Sequence, residues 1–187
     1  MKPREHAQLT GAKLELVIKR ASAYDAKRIA VLLEDWFKEA SLAWPAPQEG
    51  PMMQWVLDVI NNGFVAMAEM ASGGRLFGVA GITPAHLPWT TSGIVARDQF
   101  FYVPPYYRHC GAADALMKAL KIHCAKRNWP LVMHIISGYT SGEERVGASR
   151  LERWYGLQGG HYVGGCMVYG LSELVVEPKA KQKEAAA

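Results

Sequence analysis

Six consecutive residues, Arg108-His109-Cys110-Gly111-Ala112-Ala113, set a cation, a glycine and two alanines at the mouth of a helical pattern. From there apolar residues recur at Ala113, Leu116, Met117, Leu120 and Cys124, the stripe of a core-facing helix that Asn128 and Pro130 bring to an end. The N-terminus of that helix falls at or next to the six-residue loop. Its first backbone N–H groups lack intrahelical acceptors and carry the positive end of the helix dipole. Such a place binds anions, and a phosphate-bearing ligand is the expected occupant.

The order of the residues narrows the ligand. A phosphate loop of the Walker type would put Gly-Lys-Ser/Thr here, where Ala112-Ala113 follow the glycine, and no GxGxxG follows any predicted strand. Before the loop lies an aromatic-rich run, Phe100-Phe101-Tyr102-Val103, and a turn at Pro104-Pro105. A strand, a tight loop and a helix therefore follow one another. In that setting Arg-x-x-Gly-x-Ala resembles the pyrophosphate loop of the GCN5-related N-acetyltransferases, whose pattern is Arg/Gln-x-x-Gly-x-Gly/Ala. The aromatic strand is similar to that of some tailed-phage members. Two further segments carry the resemblance: the opening strand and helix, IKRASAYDAKRIAVLL, and the late segment Leu151-Glu152-Arg153-Trp154-Tyr155-Gly156-Leu157-Gln158-Gly159-Gly160. The latter keeps the Tyr and Gly of the family's Ala-x-x-Leu-Tyr-x-x-x-Gly-Phe; Gly160 stands in place of the Phe, and Ala148 where an Asn is frequent.

The resemblance implies an α/β (α+β) fold, with a central, mixed, mostly antiparallel sheet of about seven strands flanked by about four helices. It implies transfer of an acetyl group from acetyl-CoA to a primary amine by direct attack in a ternary complex. The cofactor's pyrophosphate would rest on Arg108 and the backbone of His109, Cys110, Gly111, Ala112 and Ala113. Its thioester would lie along the end of the fourth strand at Phe101, Tyr102 and Val103, where a bulge splays the strand. Tyr155 would be the acid toward the departing sulfur, since a phenol of pKa about 10 is protonated at neutral pH. Asp98 on the fourth strand is the first candidate for the base, and Glu69 on the second is the alternative. Trp44 and Glu49, in the connection between the first two helices, and His86 and Trp89, in the loop after the third strand, would border the acceptor. Each residue also has a plainer reading: Arg108 solvated, Tyr155 capping the core, the carboxylates in salt bridges, and His134 a core histidine inside an apolar strand. Cys110 lies in the phosphate loop, which is the wrong place for a nucleophile.

The elements that must position these groups read in order. Residues 1 to 13 form a polar lead, 14 to 172 a single domain, and 173 to 187 a disordered basic tail. LELVIK (14 to 19) is a strand. Tyr24-Asp25 caps a helix with Ile29, Leu32, Leu33, Trp36 and Phe37 on one face. A Pro/Gly-rich stretch from Ala43 to Pro51 precedes a second helix ending at Asn61-Asn62-Gly63. FVAMAEM and LFGVAGIT are strands joined across Ser72-Gly73-Gly74, a hairpin signal. Ile94 to Val103, Pro130 to Ile136, His161 to Val163 and Cys166 to Leu171 are the remaining strands. Ser137 to Gly142 is a loop, and a helix spans Glu143 to Tyr155.

Composition sets the class. The chain has 187 residues, 50% hydrophobic and 20% charged, which is the range of one globular domain. No apolar run approaches the roughly 20 residues of a membrane span, and the first residues lack a signal-like apolar segment, so a cytoplasmic protein is expected. Cys110, Cys124 and Cys166 form neither a CxxC pair nor an even framework, which fits a reducing compartment, and no metal is expected. The net charge of +4 owes much to Lys179, Lys181 and Lys183, so nucleic acid is not the expected partner. Two rivals stay open: a CoA-binding protein without catalysis, and a phage-type enzyme acylating a nucleic-acid base, with Trp44, Trp89 and Tyr139 stacking on it. The acceptor is a small-molecule or protein amine, and a homodimer would suit the family.

Overall fold

In a computed structural model, the described residues are 15–40, 46–86, 93–134, 144–163 and 166–169. The expected lead, tail and loop after residue 134 lie outside them, as do Trp44, Trp89 and Tyr139. Among the described residues seven strands form one sheet: β1 (Leu16–Arg20), β2 (Phe64–Met70), β3 (Leu76–His86), β4 (Ile94–Tyr102), β5 (Leu131–His134), β6 (His161–Val163) and β7 (Cys166–Tyr169). Their order is β1-β2-β3-β4-β5-β7-β6. Every pairing is antiparallel except β4 with β5, which is parallel. The described residues also form four α-helices: α1 (Ala26–Ala40), α2 (Glu49–Asn62), α3 (Ala112–Ala125) and α4 (Glu144–Leu157).

Strand alternation divides the sheet into two apolar faces. Val65, Met67, Val79, Phe100 and Tyr102 pack with Ile29 and Leu33 of α1 and with Met52, Val56 and Val59 of α2. On the other face Ala66, Ala68, Phe77, Ala80, Ile82, Ala96 and Leu131 pack with Leu116, Met117, Leu120 and Cys124 of α3 and with Tyr155 of α4. Leu116, Met117 and Leu120 are fully buried, each removal from water being worth roughly 1.5–3 kcal/mol. The stripe expected of α3 is thus the one it buries, with Ala113 at its half-buried margin.

The start of α1 differs from expectation. Ser22 is the cap, one turn before the helix proper: its N–H and Oγ–H both donate to Asp25 Oδ2, at 2.9 and 2.8 Å, and residues 23–25 wind as a 3-10 turn. Asp25 serves as the acidic first-turn partner of the cap. At the other end of the central unit, α3 stops as expected. Asn128 takes a left-handed φ of 52°, and the N–H groups of Arg127 and Trp129 both return to the carbonyl of Cys124.

β4 is irregular along both of its edges. Against β3 its register slips: Gly81 faces Phe100 whereas the next residue, Ile82, faces Asp98, so Gln99 is the extra residue of a bulge. The Phe100 ring lies over Gly81, where a Cβ would come within 2.5 Å of it. Against β5 the ladder holds only Ala96 with Leu131 and Arg97 with Val132. Among the described residues β4 keeps its pairing with β3 beyond those two positions and has no further ladder partner on β5.

Candidate active site

The loop expected to hold an anion stands at the C-terminal end of β4. Pro104 opens a 3-10 turn over Pro105–Tyr107, and the chain then tightens through Arg108, His109 and Cys110 to Gly111. Gly111 is the N-cap of α3 with φ 81°, ψ 4°, a left-handed conformation that favours glycine, and it has no side chain with which to cap the helix. The N–H groups of the first helical turn at Ala112 and Ala113 therefore have no intrahelical acceptor. The cradle is narrower than the sequence suggested. Arg108 N–H already donates to Pro105 C=O at 3.3 Å, and Cys110 N–H to Tyr107 C=O at 3.2 Å, so the turn itself consumes them. Ala112 is buried and Ala113 half-buried, whereas His109 and Gly111 are exposed.

Arg108 has work other than the anion. Its Nε donates to the carbonyl of Val103 at 3.1 Å, and its Nη2 is in short contact with Glu39 Oε1 on α1. The guanidinium thus ties the end of β4 to α1 while remaining about half exposed. Tyr102 joins the same group of residues: burial, together with its bond to the Glu39 carboxylate, pushes the phenol well above its usual value. Its ring belongs to the α1–α2 face, so a ligand on the α3 side meets this residue only through its backbone. Phe101 and Val103 face α3 instead, Phe101 half-buried with its ring 5.7 Å from that of Trp154 on α4.

α4 is fastened to the start of α3. Asp114, in the first turn of α3, accepts from Trp154 Nε1 at 3.2 Å and from Gln158 Nε2 at 2.9 Å, while Lys121 Nζ donates to the carbonyl of Gln158 at 2.7 Å. Tyr155 follows Trp154 into the core and is only 2% exposed. The chain beyond it turns back at Gly159, φ 84°, with Gly160 N–H donating to the Tyr155 carbonyl. Gly159 and Gly160 terminate the helix, which runs on past Tyr155, its expected last residue, to Leu157.

The two carboxylates proposed as bases have different surroundings. Glu69 is the buried charged residue of β2. It is in short contact with Lys19 Nζ on β1 and accepts from Arg28 Nη2 on α1 at 3.1 Å. Those two cations hold its carboxyl below the usual range against the opposing effect of burial. A carboxylate so engaged clamps β1 and α1 to β2. Asp98 lies at the splay. Its Oδ2 accepts from the backbone N–H of His134 on β5 at 3.1 Å, and its Oδ1 is in short contact with His134 Nδ1. Asp98 is 9% exposed and His134 37% exposed. The hydrogen bond to Asp98 raises the histidine pKa above its ordinary value, with burial and Arg97 acting the other way. His134 is therefore not the core histidine expected from the apolar run PLVMHII. The missed signal was the alternation within that run: Leu131 and Met133 are buried under α3, which leaves Val132 and His134 on the opposite face.

Of the acceptor-side candidates, His86 is the exposed last residue of β3, paired in register with Ile94. Glu49 begins α2, exposed, 3.5 Å from Lys27. A separate cavity of about 450 Å³ opens between β1 and α3, with Arg20, Lys118 and Lys126 among its lining residues. None of its walls belongs to the loop or to the β4–β5 splay.

Among the described residues no helix is long and apolar enough to cross a membrane. By sequence, no family model and no curated protein matches the chain. Solved structures do match. A GCN5-related N-acetyltransferase from Ralstonia eutropha JMP134 superposes with a TM-score of 0.60 at 18% identity, over 79% of this chain and 94% of its own. A predicted acetyltransferase from Clostridium acetobutylicum, solved with acetyl-CoA, gives a TM-score of 0.57 at 14% identity over 73% and 88% of the two chains. An aminoglycoside N-acetyltransferase in complex with CoA gives 0.54 at 15% identity over 74% and 86%. The parallel β4–β5 pair within an otherwise antiparallel sheet, with α3 beginning just past β4, is thus the fold of the GCN5-related N-acetyltransferases.

Proposed function

We propose that this protein is an N-acetyltransferase that moves an acetyl group from acetyl-CoA to a primary amine by direct attack in a ternary complex. The observation that carries the reading is the coincidence of two features at one end of β4: a β4–β5 ladder that, among the described residues, ends at Arg97 and Val132, and the glycine-started N-terminus of α3. The first leaves backbone along which a pantetheine arm can pair as a strand would. The second offers N–H donors and a helix dipole to a pyrophosphate. Structural relatives that hold CoA or acetyl-CoA support the same cofactor here.

In this reading Ala112 and Ala113 bind the pyrophosphate through their amides, with Gly111 allowing close approach. Phe101 and Val103 border the arm, and Arg108 shapes the loop by holding Val103 and Glu39 while lending positive charge. Tyr155 is the acid for the sulfur, carried to the α3 face by α4 and set in place by the Trp154 contacts. His86 and Glu49 stand at the acceptor side. Isothermal titration with acetyl-CoA tests the reading: micromolar binding is expected, lost in Gly111→Trp, whose indole fills the loop. Absence of binding by the unaltered protein overturns it.

A further inference from the structure

We propose that His134 is the catalytic base of this acyl transfer and that Asp98 is its positioning residue. The proposal rests on the acetyltransferase reading and adds to it the group that takes the proton.

The place of the pair is the first argument. Among the described residues Ala96–Leu131 and Arg97–Val132 are the last ladder pairs between β4 and β5, and Asp98 and His134 come just beyond them. The side-chain bridge stands where backbone pairing stops, at the apex of the opening that would receive the thioester. His134 is held from two sides there: β7 pairs with it at Cys166, and Asp98 grips both its backbone N–H and its ring.

Chemistry separates the two roles. Both oxygens of Asp98 accept from His134, so the carboxylate is committed to the histidine. The histidine can meet an incoming amine. With Nδ1–H donated to Asp98, the neutral ring keeps its lone pair on Nε2, and more than a third of the side chain is open to solvent. Among the described residues the titratable and charged neighbours of its ring are Asp98 and Arg97 on β4. Asp98 is the one in contact, and it strengthens the base.

The step balances without another reagent. The neutral amine nitrogen bonds to the thioester carbonyl carbon, and one of its N–H protons passes to Nε2. The C–S bond then breaks with its electron pair on sulfur, and the sulfur gains a proton. The imidazolium releases its own proton, so one amine and one acetyl-CoA give one amide and one CoA thiol.

The test uses the full chain, with thiol release from acetyl-CoA measured from pH 5.5 to 9.5 toward water and toward spermidine, kanamycin and a lysine peptide. Binding of acetyl-CoA is titrated in parallel. For His134→Gln we expect unchanged acetyl-CoA affinity, a kcat reduced about 100-fold, and loss of the acid limb that the unaltered enzyme shows through a pKa above 6.5. Asp98→Asn should behave similarly, because its amide donates to Nδ1 and places the proton on Nε2. In the unaltered protein, nitrogen-detected NMR should find His134 protonated at Nδ1 when neutral. Turnover by His134→Gln with the original rate and pH profile, or a neutral His134 protonated at Nε2, overturns the dyad and leaves the acetyltransferase reading standing. No binding of acetyl-CoA by the unaltered protein overturns both.

Discussion

The indole N–H of Trp154 on α4 donates to the carboxylate of Asp114 on α3, 40 residues away in sequence. Gln158, one turn on, donates to the same oxygen. This places a negative charge in the first turn of the helix whose amides are proposed to receive a pyrophosphate. Asp114 therefore joins α4 to α3 and opposes the anion at once. Asp114→Asn keeps an oxygen for Trp154 and removes the charge. We expect acetyl-CoA to bind about two- to fivefold more tightly, the size of one charge at a helix terminus, with little change in melting temperature. Titration calorimetry at low and high salt checks it, since the gain should shrink as salt rises.

Gly111 supplies a second prediction. An added Cβ meets no atom within 4 Å, so only the backbone conformation at φ 81° resists a side chain. Gly111→Ala should cost about 1 kcal/mol in denaturant unfolding while the protein folds normally. Gly111→Trp should cost a similar amount and additionally abolish cofactor binding, which separates occupation of the loop from its folding.

Glu69 is predicted to matter for stability and not for the pH dependence of turnover. Lys19 and Arg28 lower its pKa, so the clamp contributes fully above the ordinary carboxylate value of 4.5. Its contribution disappears as the pH falls through the depressed value in the folded protein. Because both cations are more than a third exposed, Glu69→Gln should cost only about 1 kcal/mol at neutral pH. The variant should also lose less stability than the unaltered protein on acidification. An altered basic or acid limb in the Glu69→Gln rate profile would restore this residue as the base.

His123 gives a different acid window. Its ring stacks on Phe64 at 4.0 Å, and burial, with Arg127, Arg20 and Lys126 nearby, brings its pKa down to about 4. The unfolded chain takes up a proton near pH 6.5 and the folded one does not, so stability should decline between pH 6.5 and about 4. His123→Phe keeps an aromatic ring against Phe64 and removes the titration. Its unfolding midpoint should stay flatter across that interval in parallel thermal melts.

Much of the fold was legible in the chain because it follows from local rules. The helical period through Leu116, Met117, Leu120 and Cys124, and the glycine at the start of α3, are properties of short segments, and the structure keeps them. So is the hairpin at Gly73-Gly74, whose two glycines take positive φ. The resemblance of the Arg108–Ala113 loop to a known pyrophosphate loop led to the fold that the sheet order displays.

The partners of the charged residues were not legible, since each is set by strands and helices that meet only when the sheet assembles. Nothing in the loop itself tells that Arg108 also meets Glu39 of α1, 69 positions away. Nor does the strand FVAMAEM tell that β1 and α1 bring two cations to Glu69. His134 could be read as core until the short parallel pairing of β4 and β5 set it beside Asp98 and left its face of the strand open. The sequence by itself determined the elements, the anion-suited loop and the apolar faces, because burial patterns and turn chemistry are written in neighbouring residues. Tertiary structure decided which side chains are free to act, because ion pairing and exposure depend on distances between residues that the chain keeps far apart.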